Sequence, residues 1–135
     1  MAIRDLKNRV LQKIADFTAI SGNGTTVGAI IDTANFDNGY MVGVAVPVWT
    51  DGTYTLLIEE SDDSGMSGAV AVTGDKLLGD LPAVGAANAD GSTIATVGCI
   101  GTKRYVRTSI VASGVSVGAT VATIVTMGAE QEPAA

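Results

Sequence analysis

The sequence predicts an all-β protein, a β-sandwich or barrel-like body of about seven or eight mostly antiparallel strands preceded by an N-terminal arm or short helix. Three observations carry this. Tyr40 to Trp49 alternates Val42, Val44, Val46 and Val48 with Met41, Gly43, Ala45 and Pro47, the period of two that a strand imposes. Asp51-Gly52 is a tight-turn dipeptide, followed by Thr53 to Glu60, a β-branched, aromatic and aliphatic run. Glycine recurs 17 times while aromatics make up only 4% of residues, a composition of short strands and many turns rather than packed helices.

The organisation expected is residues 1–18 as an arm or short amphipathic helix, 19–128 as the β-sandwich body and 129–135 as an acidic tail. Ile3, Leu6, Val10, Ile14 and Phe17 recur at intervals of three and four, as on one helical face, although the same residues could form an extended arm. Ser21-Gly22-Asn23-Gly24 reads as a turn, because no strand-then-helix context makes it a phosphate loop. Val27 to Ile31 is a short strand, and an Asx-rich turn at Asp37-Asn38-Gly39 leads into Tyr40–Trp49. Pro47 cannot donate to a ladder, so it marks an edge, a bulge or a strand end. The strand at Thr53 is expected to pair with Tyr40–Trp49 through the Asp51-Gly52 turn, its Tyr54, Leu56 and Ile58 sharing one face. Ala69–Val72 is another short strand, and Leu77, Leu78 and Leu81 suit a loop that plugs one end of the sandwich. Residues 83–92 are small and polar, as in an exposed loop. Thr93–Ile100 and Lys103–Ala112 read as a hairpin about Gly101-Thr102, with Val106, Thr108 and Ile110 on one face. Val115–Met127 is the last strand, its phase slipping near Ala122-Thr123 as at a bulge.

Composition excludes several chemistries. The chain has no histidine, which removes the commonest general base and metal ligand and every Ser-His or Cys-His pair. One cysteine, Cys99, leaves no intramolecular disulfide and, lying between Gly98 and Ile100, reads as a buried inert thiol. A net charge of −6 disfavours direct nucleic-acid binding. Residues 111–128 carry no charge, but Ser, Thr and Gly interrupt them, so a buried strand is expected there instead of a membrane span. The N-terminus lacks the apolar stretch of a signal peptide. No catalytic residue, cofactor or metal site is nominated. Glu59, Glu60, Asp62 and Asp63 could offer oxygens to Ca²⁺, but not at EF-hand spacing, and a solvated turn is the expectation.

Charge is nonetheless uneven. Residues 1–18 hold four basic and two acidic side chains, the remainder four basic and twelve acidic. Lys103, Arg104 and Arg107 form the second basic cluster, which either pairs with the acidic turn at 59–63 or docks onto an acidic neighbour.

Several segments resemble the capsid decoration proteins of tailed bacteriophages, also called auxiliary head or cement proteins. They are Met1-Ala2-Ile3-Arg4-Asp5-Leu6-Lys7-Asn8, Asp51-Gly52-Thr53-Tyr54, Glu59-Glu60-Ser61-Asp62-Asp63, Leu77-Leu78-Gly79 and Ile100-Gly101-Thr102-Lys103-Arg104-Tyr105-Val106-Arg107, in consistent order along most of the chain. The resemblance implies a non-enzymatic virion protein made in the host bacterial cytoplasm and bound to the outer capsid surface. It would bridge major capsid subunits and act as a homo-oligomer, a trimer in preference to a dimer, without nucleic acid or membrane as partner. The capsid or inter-subunit contacts expected are Ile3, Arg4, Leu6, Lys7, Arg9, Val10, Lys13 and Ile14 on the arm, with Lys103, Arg104 and Arg107 on the body. A tail or head–tail connector component is the alternative within the virion, and a carbohydrate- or host-surface-binding module the alternative of another class.

Overall fold

In the computed structural model, which describes residues 10–33, 36–85, 94–100 and 103–129, the alternating segments form two packed antiparallel sheets. The strands are β1 (Val10–Ile20), β2 (Gly24–Asp32), β3 (Phe36–Trp49), β4 (Thr53–Ser61), β5 (Val70–Ala71), β6 (Leu77–Leu78), β7 (Ala83–Val84), β8 (Ile94–Ile100), β9 (Tyr105–Ser113) and β10 (Ala119–Ala129). Seven are long and three have two residues. Sheet A runs β1-β10-β3-β8-β6; sheet B runs β2-β9-β4-β5, with β7 also on the outer edge of β4. Successive long strands fall in opposite sheets, as in a double-sheet jelly roll.

The core lies where the period-two patterns meet. Tyr54, Leu56 and Ile58 of β4, with Val106 and Ile110 of β9, face Val42, Val44, Val97, Val121 and Val125 of sheet A, all at most 2% exposed. Each such side chain contributes roughly 1.5–3 kcal/mol of transfer free energy.

Several expectations are corrected. Residues 10–18 are neither helix nor free arm but the greater part of β1, paired along its length with β10. Apolar residues three and four apart resemble a helical face because a bulge between Ile14 and Asp16 breaks the strict alternation. β3 and β4 do not pair through Asp51-Gly52, and β8 and β9 do not form a hairpin; both connections cross between the sheets. Turn residues reverse the chain equally well for a hairpin or a crossing, and burial of two apolar faces against each other decides for the crossing. Val115–Gly118 is a turn ahead of β10, not part of it. Finally, the register slip opposite Ala122 puts the extra residue in β3, between Ala45 and Val48, where Pro47 sits. Past that bulge Val48 turns outward, 59% exposed, while Val46 remains buried. Gly101-Thr102 itself, residues 1–9, 86–93 and the tail from 130 lie outside the described residues.

Asp51 stitches the crossing at one end. Its carboxylate accepts the backbone N–H groups of Ser116, Val117 and Gly118, the last at 2.9 Å, and the N–H of Thr50 donates to the Gly118 carbonyl. Those hydrogen bonds, led by the one from Val117, hold the Asp51 carboxyl below its ordinary range. Gly118 sits at φ +120°, where a Cβ would collide with the Ile20 carbonyl. Trp49 Nε1 donates to the Gly52 carbonyl (3.0 Å) and the Tyr54 hydroxyl to that of Asp51 (2.7 Å).

The segment from β5 to β7 closes a long side of the sandwich, not an end. It pairs with both ends of β4 and, through β6, with β8 of the other sheet. Leu77 and Leu81 pack on the core, whereas Leu78 is 66% exposed.

Candidate functional site

The basic cluster on the body sits where β9 begins, and each of its cations meets an acid of the same chain. Lys103 Nζ lies 3.0 Å from Asp62, the Arg104 guanidinium grips Asp32 through two 2.8 Å hydrogen bonds, and Arg107 reaches Glu59 at 3.1 Å. Register explains the last pair, since Arg107 stands opposite Glu59 on β4. The bidentate bond to Asp32 raises the pKa of Arg104, which also lies over the Tyr105 ring at 5.0 Å. The outer side of sheet B is thus laced with ion pairs.

Two of the four acids are not a solvated turn. Glu59 belongs to the ladder of β4, and Glu60 is fully buried, 2.5 Å from Lys76 Nζ on the short 3₁₀ turn Gly74–Lys76. Strand alternation drives Glu60 inward, and Lys76 supplies the opposite charge that makes its burial tolerable. Asp63 works locally, accepting the N–H groups of Gly65 and Ser67. Glu60 faces Tyr40 and Cys99 of sheet A. Burial pushes the Cys99 thiol up to about 11 and the Tyr40 hydroxyl higher still, so both are neutral at pH 7. Among the described residues, no three carboxylate or thiolate side chains converge to hold a metal ion.

Of the expected arm contacts, Ile3, Arg4, Leu6, Lys7 and Arg9 lie outside the described residues, as does the side chain of Val10. Lys13 is exposed on β1, and Ile14 is 67% exposed on the outer face of sheet A. The structure does not bring Ile14 to the face that carries Arg104 and Arg107.

A second surface escaped the sequence reading. Register defines rows across the outer face of sheet A: Gln12–Thr126–Met41–Gly98, then Ile14–Ile124–Gly43–Thr96, then Phe17–Ala122–Ala45–Ile94. Gln12 donates to Thr126 across the first row. No described side chain on this face is charged, and Ile14, Phe17, Met41, Val48, Leu78 and Ile94 are each at least 42% exposed. A sheet with one face on the core ordinarily shows polar residues on the other. The signal was present in the sequence: residues 39–50 and 94–100 carry no charge at either parity.

The fold and surfaces define a jelly-roll sandwich with one ion-paired face and one uncharged apolar face. No protein-family model matches the chain, and no curated protein does. Among solved structures it is similar to the crystal structure of PBSX exported protein XepA, with a TM-score of 0.63 and 17% identity over 93% of this chain. The chain spans 39% of that protein's length.

Proposed function

We propose that this protein is a non-enzymatic virion component that binds the outer surface of a tailed-phage capsid and reinforces it by bridging major capsid subunits. The observation that supports the reading is the fold shared with PBSX exported protein XepA. The finer step, to the capsid, rests on the ordered resemblance of the segments quoted above to decoration proteins. β1 is an edge strand, so residues before Val10 join the body at a sheet margin, next to the uncharged face. From there Arg4, Lys7 and Arg9 would steer contact with a capsid subunit while Ile3 and Leu6 anchor it. Binding only to the assembled shell stabilises that shell by mass action.

Cosedimentation with purified empty heads tests the proposal. Saturation at hundreds of copies per particle is expected; binding to a handful of sites indicates a connector, and glycan binding without head binding an adhesion module. Removal of residues 2–9 is expected to abolish head binding and leave the fold intact. A longer truncation, to residue 14, would take away nearly half of β1 and confound binding with folding.

A further inference from the structure

We infer that residues 62–85 form a strap that lifts as one unit from the folded sandwich, with the Lys76–Glu60 ion pair as its clasp and Cys99 as the group it uncovers. Strand order makes such a separation possible. β5 and β7 lie beyond β4 at the margin of sheet B, and β6 lies beyond β8 at the margin of sheet A. Lifting them breaks no pairing between long strands. The ladders β1-β10-β3-β8 and β2-β9-β4 stay whole.

The attachments are short. β5 pairs two residues with the end of β4, β6 two with β8, and β7 two with the start of β4, whereas β4 and β9 share nine. Two further backbone bonds help, from the N–H of Val72 to the Ile58 carbonyl (2.8 Å) and from that of Leu56 to the Pro82 carbonyl (2.9 Å). Met66, Val72 and Val84 are the buried apolar side chains of the strap, and Leu77 and Leu81 are partly covered. The larger share of the core lies between the two sheets and is not released. A segment with few buried contacts at a sheet margin opens at a lower free energy than the whole domain unfolds.

What lies beneath the strap favours its lifting. Glu60 is fully buried, and Cys99, opposite Leu77 of β6, is 1% exposed. The buried Tyr40 hydroxyl, with no oxygen or nitrogen partner among the described residues, has the weakly bonding Cys99 thiol beside it. A carboxylate, a phenol and a thiol all gain water when the strap rises, which offsets part of the apolar burial lost. Closure is held from the other side by charge. Lys76 Nζ stands 2.5 Å from Glu60 Oε1. The cation rides on the strap and the anion belongs to the body, so the pair exists only when the strap is down. The inference does not depend on capsid binding.

The test is labelling of Cys99 by excess DTNB on the full chain, at urea concentrations below the unfolding transition. Burial pushes the thiol up to about 11, so at roughly pH 8 the closed form offers neither access nor thiolate. The expected rate falls on a urea slope less than about half the m of global unfolding. Lys76→Met should speed labelling about 30-fold or more without urea, because closure then buries a carboxylate that has lost its cation. Glu60→Met/Lys76→Met should reverse much of that gain. Val121→Ala removes buried contact on β10, three strands from β6, in a part that stays folded when the strap lifts. It should lower global stability and change the labelling rate by less than about twofold. Hydrogen exchange followed by mass spectrometry should show the Val72 and Leu56 amides opening with the thiol while β10 stays protected. A urea slope equal to the global m, acceleration by Val121→Ala as large as its effect on unfolding, or indifference to Lys76→Met overturns the inference. So does labelling of the native protein at the rate of a free thiol, since the strap would then cover nothing.

Discussion

Single residues do unequal work in this chain, and Asp51 illustrates it. Its carboxylate takes three backbone N–H groups that no strand partner could satisfy, at the place where a turn and a sheet crossing meet. Since its folded pKa lies below the ordinary 3.8, the contribution is complete above that value and is lost as pH falls through the folded one. Asp51→Asn should therefore lower Tm at pH 7, and the gap from the unmodified protein should narrow steadily in melts taken from pH 4.5 down to pH 2. Glu60 and Lys76 make a different kind of pair. Lys76→Met removes the cation beside a fully buried carboxylate and should cost about 2–3 kcal/mol in a urea titration at unchanged m. Glu60→Met/Lys76→Met should recover much of that loss, because no buried charge then remains.

At the scale of elements, the bulge at Pro47 decides which valines matter. An unbroken alternation makes Val46 and Val48 equivalent; the structure buries one at 2% exposure and leaves the other at 59%. Val46→Ala should thus cost about 1–3 kcal/mol and Val48→Ala within about 0.5, measured by the same titration. This pair also marks how far the sequence could be read. The alternating valines, the face of Tyr54, Leu56 and Ile58, and the strand at Val106–Ile110 follow from local pattern, since side chains that share a parity must share a fate. Partnership does not follow from local pattern. Asp51-Gly52 and the segment around Gly101 carry turn chemistry that suits either a hairpin or a passage to the opposite sheet. Only the mutual burial of whole faces distinguishes them. The bulge in β1 hid a strand behind helical spacing for a related reason, because one inserted residue changes period two into a mixture of threes and fours. The uncharged face is legible only as intervals without charge, at 39–50 and 94–100, because strand parity alone does not say which of two apolar faces is buried.

For the whole molecule, the contrast between faces sorts the candidate contacts. The cations at Lys103, Arg104 and Arg107 already satisfy acids within the chain, and exposed pairs of this kind contribute roughly 0–1 kcal/mol. Lys103→Ala should therefore leave Tm nearly unchanged, so that any loss of head binding in that variant reads as a contact and not as unfolding. Time is also written into the strand order. β10, the last strand described, lies between β1 and β3, and no two consecutive long strands are hydrogen-bonded to each other. A ribosome delivering this chain releases β1, β2 and β3 long before the strand that joins the first to the third exists. Closing such distant pairings places folding in the milliseconds-to-seconds range, with the two-residue pairing of β5 on β4 as the one local hairpin among the described strands. Until Ala119–Ala129 emerges, β1 has no partner in sheet A and β3 lacks its neighbour on that side, so both edges stay open to chaperones and to aggregation.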